Sequence, residues 1–307
     1  MAEYRNTDEI WEKLQEAYEP VRKKAKIVDG LLVSGVVLVV LAVVNRKNPA
    51  LRGSLLFMSM VVLISCFVFK EKVYTPRKKE LHGMFKDSIV KDIFKEKIDN
   101  FMYSPSEGIG RSEMNNIGLI SLGTDYHSED LMSGSYRNVH FRRADVLVEQ
   151  ESGNSETSTR STIFRGAWYT FDSPISYANE VVVIEKGFKV GRKKTSIFTS
   201  SESRRHKTEM NNDEFDSRFR TYALNEADSY QILTPLMMEN LLRFAADARG
   251  AMLIGFQSNK IHVAIDSRYN YFEPNMKNRE AFNRSVEAVE NELNTIIRLI
   301  NTLGLAQ

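Results

Sequence analysis

Two apolar runs without a charged residue, 30–44 and 53–69, stand eight residues apart, and no other feature of the chain narrows its possible folds as far. A helix crosses a bilayer with about 20 largely apolar residues, each rising about 1.5 Å. The first run reaches that length once Ile27 and Val28 are counted, with Asp29 near its end, and the second is at the short end of the range. The link 45–52 contains Asn48-Pro49 and is short enough to return the second run antiparallel to the first. Gly30, Ser34, Gly35, Ser54, Ser59 and Ser65 are small enough for close helix approach in lipid. A buried hairpin in a soluble core is the competing structure, but neither run carries the polar face of a surface-covering helix. A cleaved signal peptide fits less well, because a polar helical pattern precedes the first run and a second span follows it.

Cations mark the outer ends of the hairpin. Arg22, Lys23, Lys24 and Lys26 precede it, and Lys70, Lys72, Arg77, Lys78 and Lys79 follow, against Arg46, Lys47 and Arg52 in the link. The positive-inside rule then predicts a two-span protein of the inner membrane with both termini cytoplasmic and the lipid bilayer as its first partner. The chain is +2 overall, yet residues 100–307 hold 24 Lys/Arg against 27 Asp/Glu. The pI near 8.4 therefore reflects the membrane flanks and gives no support to nucleic-acid binding. The one cysteine, Cys66, lies in the second run, which removes disulfide frameworks and cysteine metal sites from consideration. No metal or cofactor is expected.

Residues 1–26 read as an amphipathic helix opened by a capping box at Asn6 and Glu9, with Ile10, Leu14, Ala17 and Val21 on one face and a bend at Pro20. The hairpin takes 27–70. A stalk helix takes 71–103, on a stripe from Leu81 through Phe85, Ile89, Ile93, Phe94 and Ile98 to Phe101, kinked at Pro76. A linker at 104–116 leads to an α+β domain at 117–307, mainly antiparallel, with an inserted helix and a long closing helix. Strand-like alternation is seen at 136–149, 162–171, 181–185, 195–199 and 218–224, with a hairpin tip at 151–161. Thr234-Pro235 starts a helix that Gly250 ends, and a hairpin follows, turning at Ser258-Asn259. Phe282, Val286, Val289, Leu293, Ile296, Ile300 and Leu303 repeat at four-three spacing, as a helix covering its own sheet or as a seam for a partner.

Candidate chemistry is sparse. There is no G-x-S-x-G elbow, and the five histidines are unpaired at metal-ligand spacing. Gly108-Ile109-Gly110 lacks the third glycine of a nucleotide turn. The basic stretches at 192–194 and 204–207 are interrupted by acids and have no aromatic platform, so they read as solvated loop or as contact with anionic headgroups. Asp125-Tyr126, with Glu129-Asp130, Gly134 and Tyr136, groups acids and aromatics at an expected tight turn; Tyr222, Glu226, Asp228 and Tyr230 are candidates to join them. Asp125, Tyr126, Asp130, Tyr136, Tyr222 and Tyr230 are therefore the candidate ligand or partner surface; no residue is assigned a catalytic role.

Four phrases then occur in order: 130–136 (DLMSGSY) running on to Val139-His140-Phe141, 164–169 (FRGAWY), 230–235 (YQILTP) with Met238, and Phe272-Glu273-Pro274. With the hairpin ahead of them they resemble the bacterial domain-of-unknown-function family 3137. The resemblance implies an inner-membrane protein with a cytoplasmic domain and no established activity. The polar stretch from 192 to 212 departs from the family pattern.

Two functions of different class follow. One is a membrane-anchored, non-enzymatic adaptor or scaffold, engaging membrane or cytoplasmic proteins or a second copy of itself. The other is a membrane-bound enzyme or small-ligand sensor with a site near 125–136.

Overall fold

The computed structural model describes residues 7–153, 158–190, 205–269 and 271–306. Two compact units divide the chain: Met1–Val90 with Phe272–Glu287, and Lys91–Tyr271 with Ala288–Gln307.

The first unit is helical. α1 (Thr7–Val44) is one continuous helix that takes in both the expected amphipathic helix and the first apolar run, with Pro20 inside it. The expected cap at Asn6 lies outside the described residues. α2 (Pro49–Phe69) starts where Asn48 accepts from the Leu51 amide and Pro49, which has no amide to satisfy, fills the first turn. α1 and α2 pack on each other. The contact passes through Gly35, whose carbonyl accepts from the Ser59 hydroxyl at 3.0 Å and where an added Cβ would come 2.7 Å from Leu63. Cys66 reaches the Val28 carbonyl at 3.6 Å. Gly30, in contrast, faces open space, and Ser34 and Ser54 bond carbonyls of their own helices. Only 17% of the most apolar stretch of α1 is buried, and 11% of that in the helix opened by α2. A soluble core hairpin would be mostly buried, so these are two helices long and apolar enough to cross a membrane.

A π-helical turn, Lys70–Tyr74, follows α2, and Pro76 falls in the first turn of α3 (Thr75–Phe85). Of the flanking cations, Arg22 pairs with Glu19 and Arg77 with Glu80; Lys23, Lys26, Lys70, Lys72, Lys78 and Lys79 are exposed and Lys24 is half-buried. Trp11 and Phe85 both pack on Phe282, at 5.1 and 6.1 Å between ring centroids, and Arg279 pairs with Asp8 at 2.6 Å.

The second unit opens with α4 (Lys91–Lys95), and here the stalk expectation is corrected. The helix stops, and β1 (Asp99–Ser104) begins, with Phe94 stacking on Phe101 at 5.0 Å. Apolar residues at 93, 94, 98 and 101 suit a helix stripe and a helix-to-strand corner equally, and pairing of β1 with β2 decides the matter. The expected linker holds α5 (Arg111–Ile117). β2 (Asp125–Tyr136), β3 (Val139–Ser152), β4 (Thr159–Glu185), β5 (His206–Thr208), β6 (Phe219–Ala223) and β7 (Ala251–Asp266) complete an antiparallel sheet in the order β1-β2-β3-β4-β6-β5, with β7 also on β4. The expected hairpin at Ser258-Asn259 does not form: β7 runs straight through with Ser258 at φ +50°, because bulged β4 offers it a partner along most of its length. The segments 162–171 and 181–185 likewise merge into β4. The strand expected at 195–199, and part of the loop at 151–161, lie outside the described residues.

α6 (Asp213–Arg218) and α7 (Glu226–Ile232) start at side-chain caps from Asn212 and Asn225. α8 (Pro235–Asp247) begins as the sequence predicts, with Thr234 accepting from the Met237 amide at 3.2 Å. α9 (Arg279–Thr302) buries Phe282, Val286, Val289, Leu293, Ile296 and Ile300 within the chain, and Leu303 just beyond it, so the seam is occupied. One sheet face carries a core of Ala144, Val146, Val148, Phe164, Trp168 and Leu253 with their neighbours. Gly166 leaves no room for a side chain between β4 and β7: an added Cβ would lie 1.9 Å from the Ile265 carbonyl oxygen. Gly166→Ala is expected to shift β7 and destabilise the domain by about 3 kcal/mol, read as a lower urea midpoint at unchanged slope.

Candidate functional site

The acid and aromatic residues at 125–136 form strand β2 rather than a turn, and alternation sends their side chains to opposite faces. Asp125 and Tyr136 stand at opposite ends of that strand, roughly 35 Å apart at about 3.4 Å per residue. Asp125 is exposed, 3.5 Å from Arg160. Tyr126 packs against the core and donates to the Ile109 carbonyl at 2.6 Å; burial first, then the Glu113 charge, push its phenol up to about 12. Tyr136 lies under the Arg137 guanidinium, Tyr222 borders the core from β6, and Tyr230 donates to the Glu209 carbonyl at 2.9 Å from α7. Gly108 is packed hard against the Ser128 backbone, so the Gly108–Gly110 turn is a strand contact. Of the basic stretches, Arg205 is paired with Glu180 and Lys207 with Glu209; residues 192–194 and 204 lie outside the described residues.

Asp130 is the one of these residues drawn into a polar centre. The pairing of β2 with β3 shifts between Glu129 and Met132, and Asp130 in that bulge has φ +58°. A bulge re-aims a side chain, and buried Asp130 accepts a 2.5 Å hydrogen bond from the Tyr103 hydroxyl of β1. Sheet register then places Met132 opposite Arg143 and Arg143 opposite Tyr169. Arg143 is 0% exposed; its Nε donates to Glu292 Oε1 of α9 at 2.8 Å, and a terminal nitrogen lies 2.7 Å from Asp145 Oδ1. Tyr169 donates to the same Glu292 oxygen at 2.7 Å, and Glu292 is 1% exposed.

Two carboxylates thus share one guanidinium out of water, with the buried Asp130 carboxylate acting on Asp145 through its charge, an arrangement that cannot keep every carboxylate ionised without penalty. Burial tends to neutralise Arg143, but Asp145 and Glu292 outweigh it and hold its pKa well above the ordinary value. Asp145 is pushed up to about 7, chiefly by burial and against the pull of Arg143, with Asp130 and Glu292 adding to the rise. Burial and the adjacent carboxylates raise the phenols of Tyr103 and Tyr169 far above 10, so both remain neutral donors. Asp145 has both carboxylate oxygens buried, while its side chain, 14% exposed, borders a cleft of about 70 Å³ beside His127, Glu129 and Arg165. On the opposite sheet face His262 lies 3.1 Å from the Thr170 hydroxyl and is held neutral, its pKa lowered to about 4 by burial and by Lys260.

A larger cavity, about 240 Å³, lies over Tyr169 between the end of α8, α9, β4 and β7. Arg143, Asp145, Tyr169 and Glu292 were not singled out in the sequence. The signal was present: Arg143 falls two residues after Phe141 on an alternating strand, and Glu292 lies three residues after Val289 and four before Ile296 on the apolar side of α9. Among the described residues, no group of three His, Cys, Asp or Glu side chains could hold a metal ion.

Fold and site define an α+β domain with an antiparallel sheet, preceded in the chain by a pair of long apolar helices. Residues 162–305 match the family described as "Protein of unknown function (DUF3137)", which bears out the family resemblance; the three later phrases fall within the match and the one at 130–141 lies before it. No curated protein matches the chain. A solved structure, the mycobacterial trehalose monomycolate transport factor A, TtfA, is similar at 13% identity over 70% of this chain and 95% of that one. Its TM-score is 0.34.

Proposed function

We propose that this chain is a two-span inner-membrane protein, both termini cytoplasmic, that acts as a non-enzymatic adaptor or scaffold. Its α+β domain engages protein partners, or a second copy, beside the bilayer. The observation that carries this reading is the nearly bare apolar surface of α1 and α2, exposed at Val33, Val36, Val40, Phe57, Ile64 and Phe67 among others. Contiguous apolar surface on that scale is matched by lipid. The excess of cations outside the link supports the orientation. Anchoring raises the effective concentration of the domain at the membrane, so weak contacts suffice for assembly. In-cell crosslinking of the intact protein followed by detergent purification tests it. Discrete adducts of defined mass are expected; a protein recovered monomeric and alone counts against the adaptor.

A second reading, a membrane-bound small-ligand sensor, is favoured by the cavity over Tyr169. It moves the site from 125–136 to the far side of the buried Arg143 centre.

A further inference from the structure

Among the described residues, the donors around the larger cavity are unevenly committed. Arg298 is held by Asp247 at 2.8 Å and lies 5.3 Å from the centre of the Phe244 ring. Arg249 makes no hydrogen bond or ion pair among the described residues, although its charge acts on the Tyr271 phenol. The backbone that carries it is closely placed: the next residue, Gly250, has φ +143°, and an added Cβ there would stand 2.5 Å from the Asp266 carbonyl oxygen. Asn291 and Asn294, three residues apart on α9 and so neighbours on its surface, line the same space, and neither side-chain amide is hydrogen-bonded among the described residues. At the floor the Tyr169 hydroxyl is spent on Glu292. Phe244 and Ile265 supply apolar wall.

An uncommitted guanidinium with two free amides is a donor set for an oxyanion. The acids nearby do not cancel it, since Asp247 is committed to Arg298 and Glu292 to Arg143 and Tyr169. With Arg249 as the only uncommitted cation among the described lining residues, a single negative charge is matched and a dianionic phosphate is not. The volume lies below the range of about 300–1,000 Å³ usual for drug-sized ligands.

We propose that this cavity binds a small organic acid. Its carboxylate is taken by Arg249 with Asn291 and Asn294, and its short apolar body lies against Phe244 and Ile265. The proposal deepens the ligand-sensor reading and is independent of the adaptor reading, which the crosslinking experiment decides separately.

The test uses the full chain in lipid nanodiscs, with 4-fluorobenzoate as probe and ¹⁹F NMR line broadening as readout. Saturable binding at millimolar concentration is expected, weakened about tenfold or more in Arg249→Gln by loss of the charge-assisted bonds, and severalfold in Asn294→Ala. Both residues are exposed, so both variants are expected to melt with the parent protein. Absence of saturable binding, or equal affinity in Arg249→Gln, overturns the site. Tighter binding of inorganic phosphate than of 4-fluorobenzoate overturns its assignment to a carboxylate.

Discussion

Arg143→Met is expected to destabilise the α+β domain by about 3–5 kcal/mol, the cost of leaving buried carboxylates without their cation. Glu292 would keep the Tyr169 hydrogen bond and lose the guanidinium, and Asp145 would lose its ion pair. Removing both ends of the main pair, Arg143→Met with Glu292→Leu, is expected to recover much of that loss. Apolar groups of similar volume commonly replace a buried ion pair at little cost, although Asp145 would still lack its cation and Tyr169 would be left without its acceptor, so the recovery is partial. Urea titrations of the full chain in detergent, followed by near-ultraviolet circular dichroism, measure all three proteins. If the single variant were as stable as the parent, the centre would be a solvated ion pair and the account of it wrong. If the double variant were less stable than the single, the pairwise argument would fail.

The second large effect is one of pH. Asp145 has a pKa near 7 when folded against an ordinary 3.8. Between those values the folded chain keeps a proton that the unfolded chain has released. The contribution of this group is therefore fully present below about pH 4 and is lost as pH rises through 7, at up to about 1.4 kcal/mol per pH unit. His262 acts in the opposite sense. Its pKa is lowered from 6.5 to about 4, so its contribution is full above 6.5 and declines as pH falls towards 4. The two slopes oppose each other between pH 4 and 6.5. Asp145→Asn is expected to expose a stability that rises with pH over that window, and subtraction of its curve from the parent's isolates a fall that levels off above pH 7. Parallel curves for parent and variant would show that Asp145 ionises in its usual range and is wetter than its surroundings imply.

Legibility differed between the hairpin, the sheet and the polar centre for physical reasons. The helical hairpin, long and apolar enough to cross a membrane, is legible because a charge-free run of that length has few other uses, and Asn48-Pro49 marks the start of α2 in the sequence itself. Thr234-Pro235 and the four-three repeat of α9 are likewise local signals, set by capping and helix periodicity. The sequence of β2 reads as a turn because Asp125, Glu129, Asp130 and Gly134 are turn residues by composition; its strand state comes from pairing on both edges, with β1 and with β3. The same holds for Ser258-Asn259, whose turn-like chemistry is absorbed as an irregularity opposite bulged β4. The polar centre was least accessible. Its members come from β1, β2, β3, β4 and α9, and only cross-strand register together with the Asp130 bulge brings them together. Arg142-Arg143 shows the limit clearly: one arginine pairs with Glu113 in partial exposure and its neighbour is wholly buried, a difference fixed by strand phase.

The two-span anchor is most directly tested by cysteine labelling in a Cys66→Ser background, with an impermeant maleimide applied to intact spheroplasts. Single cysteines replace Lys47 in the link and Ser176 in the domain, both exposed. The account predicts that the cysteine at 47 is labelled from outside and that the one at 176 is labelled only after permeabilisation. Labelling of the cysteine at 176 in intact cells, or release of the protein from membranes by alkaline carbonate, would contradict it.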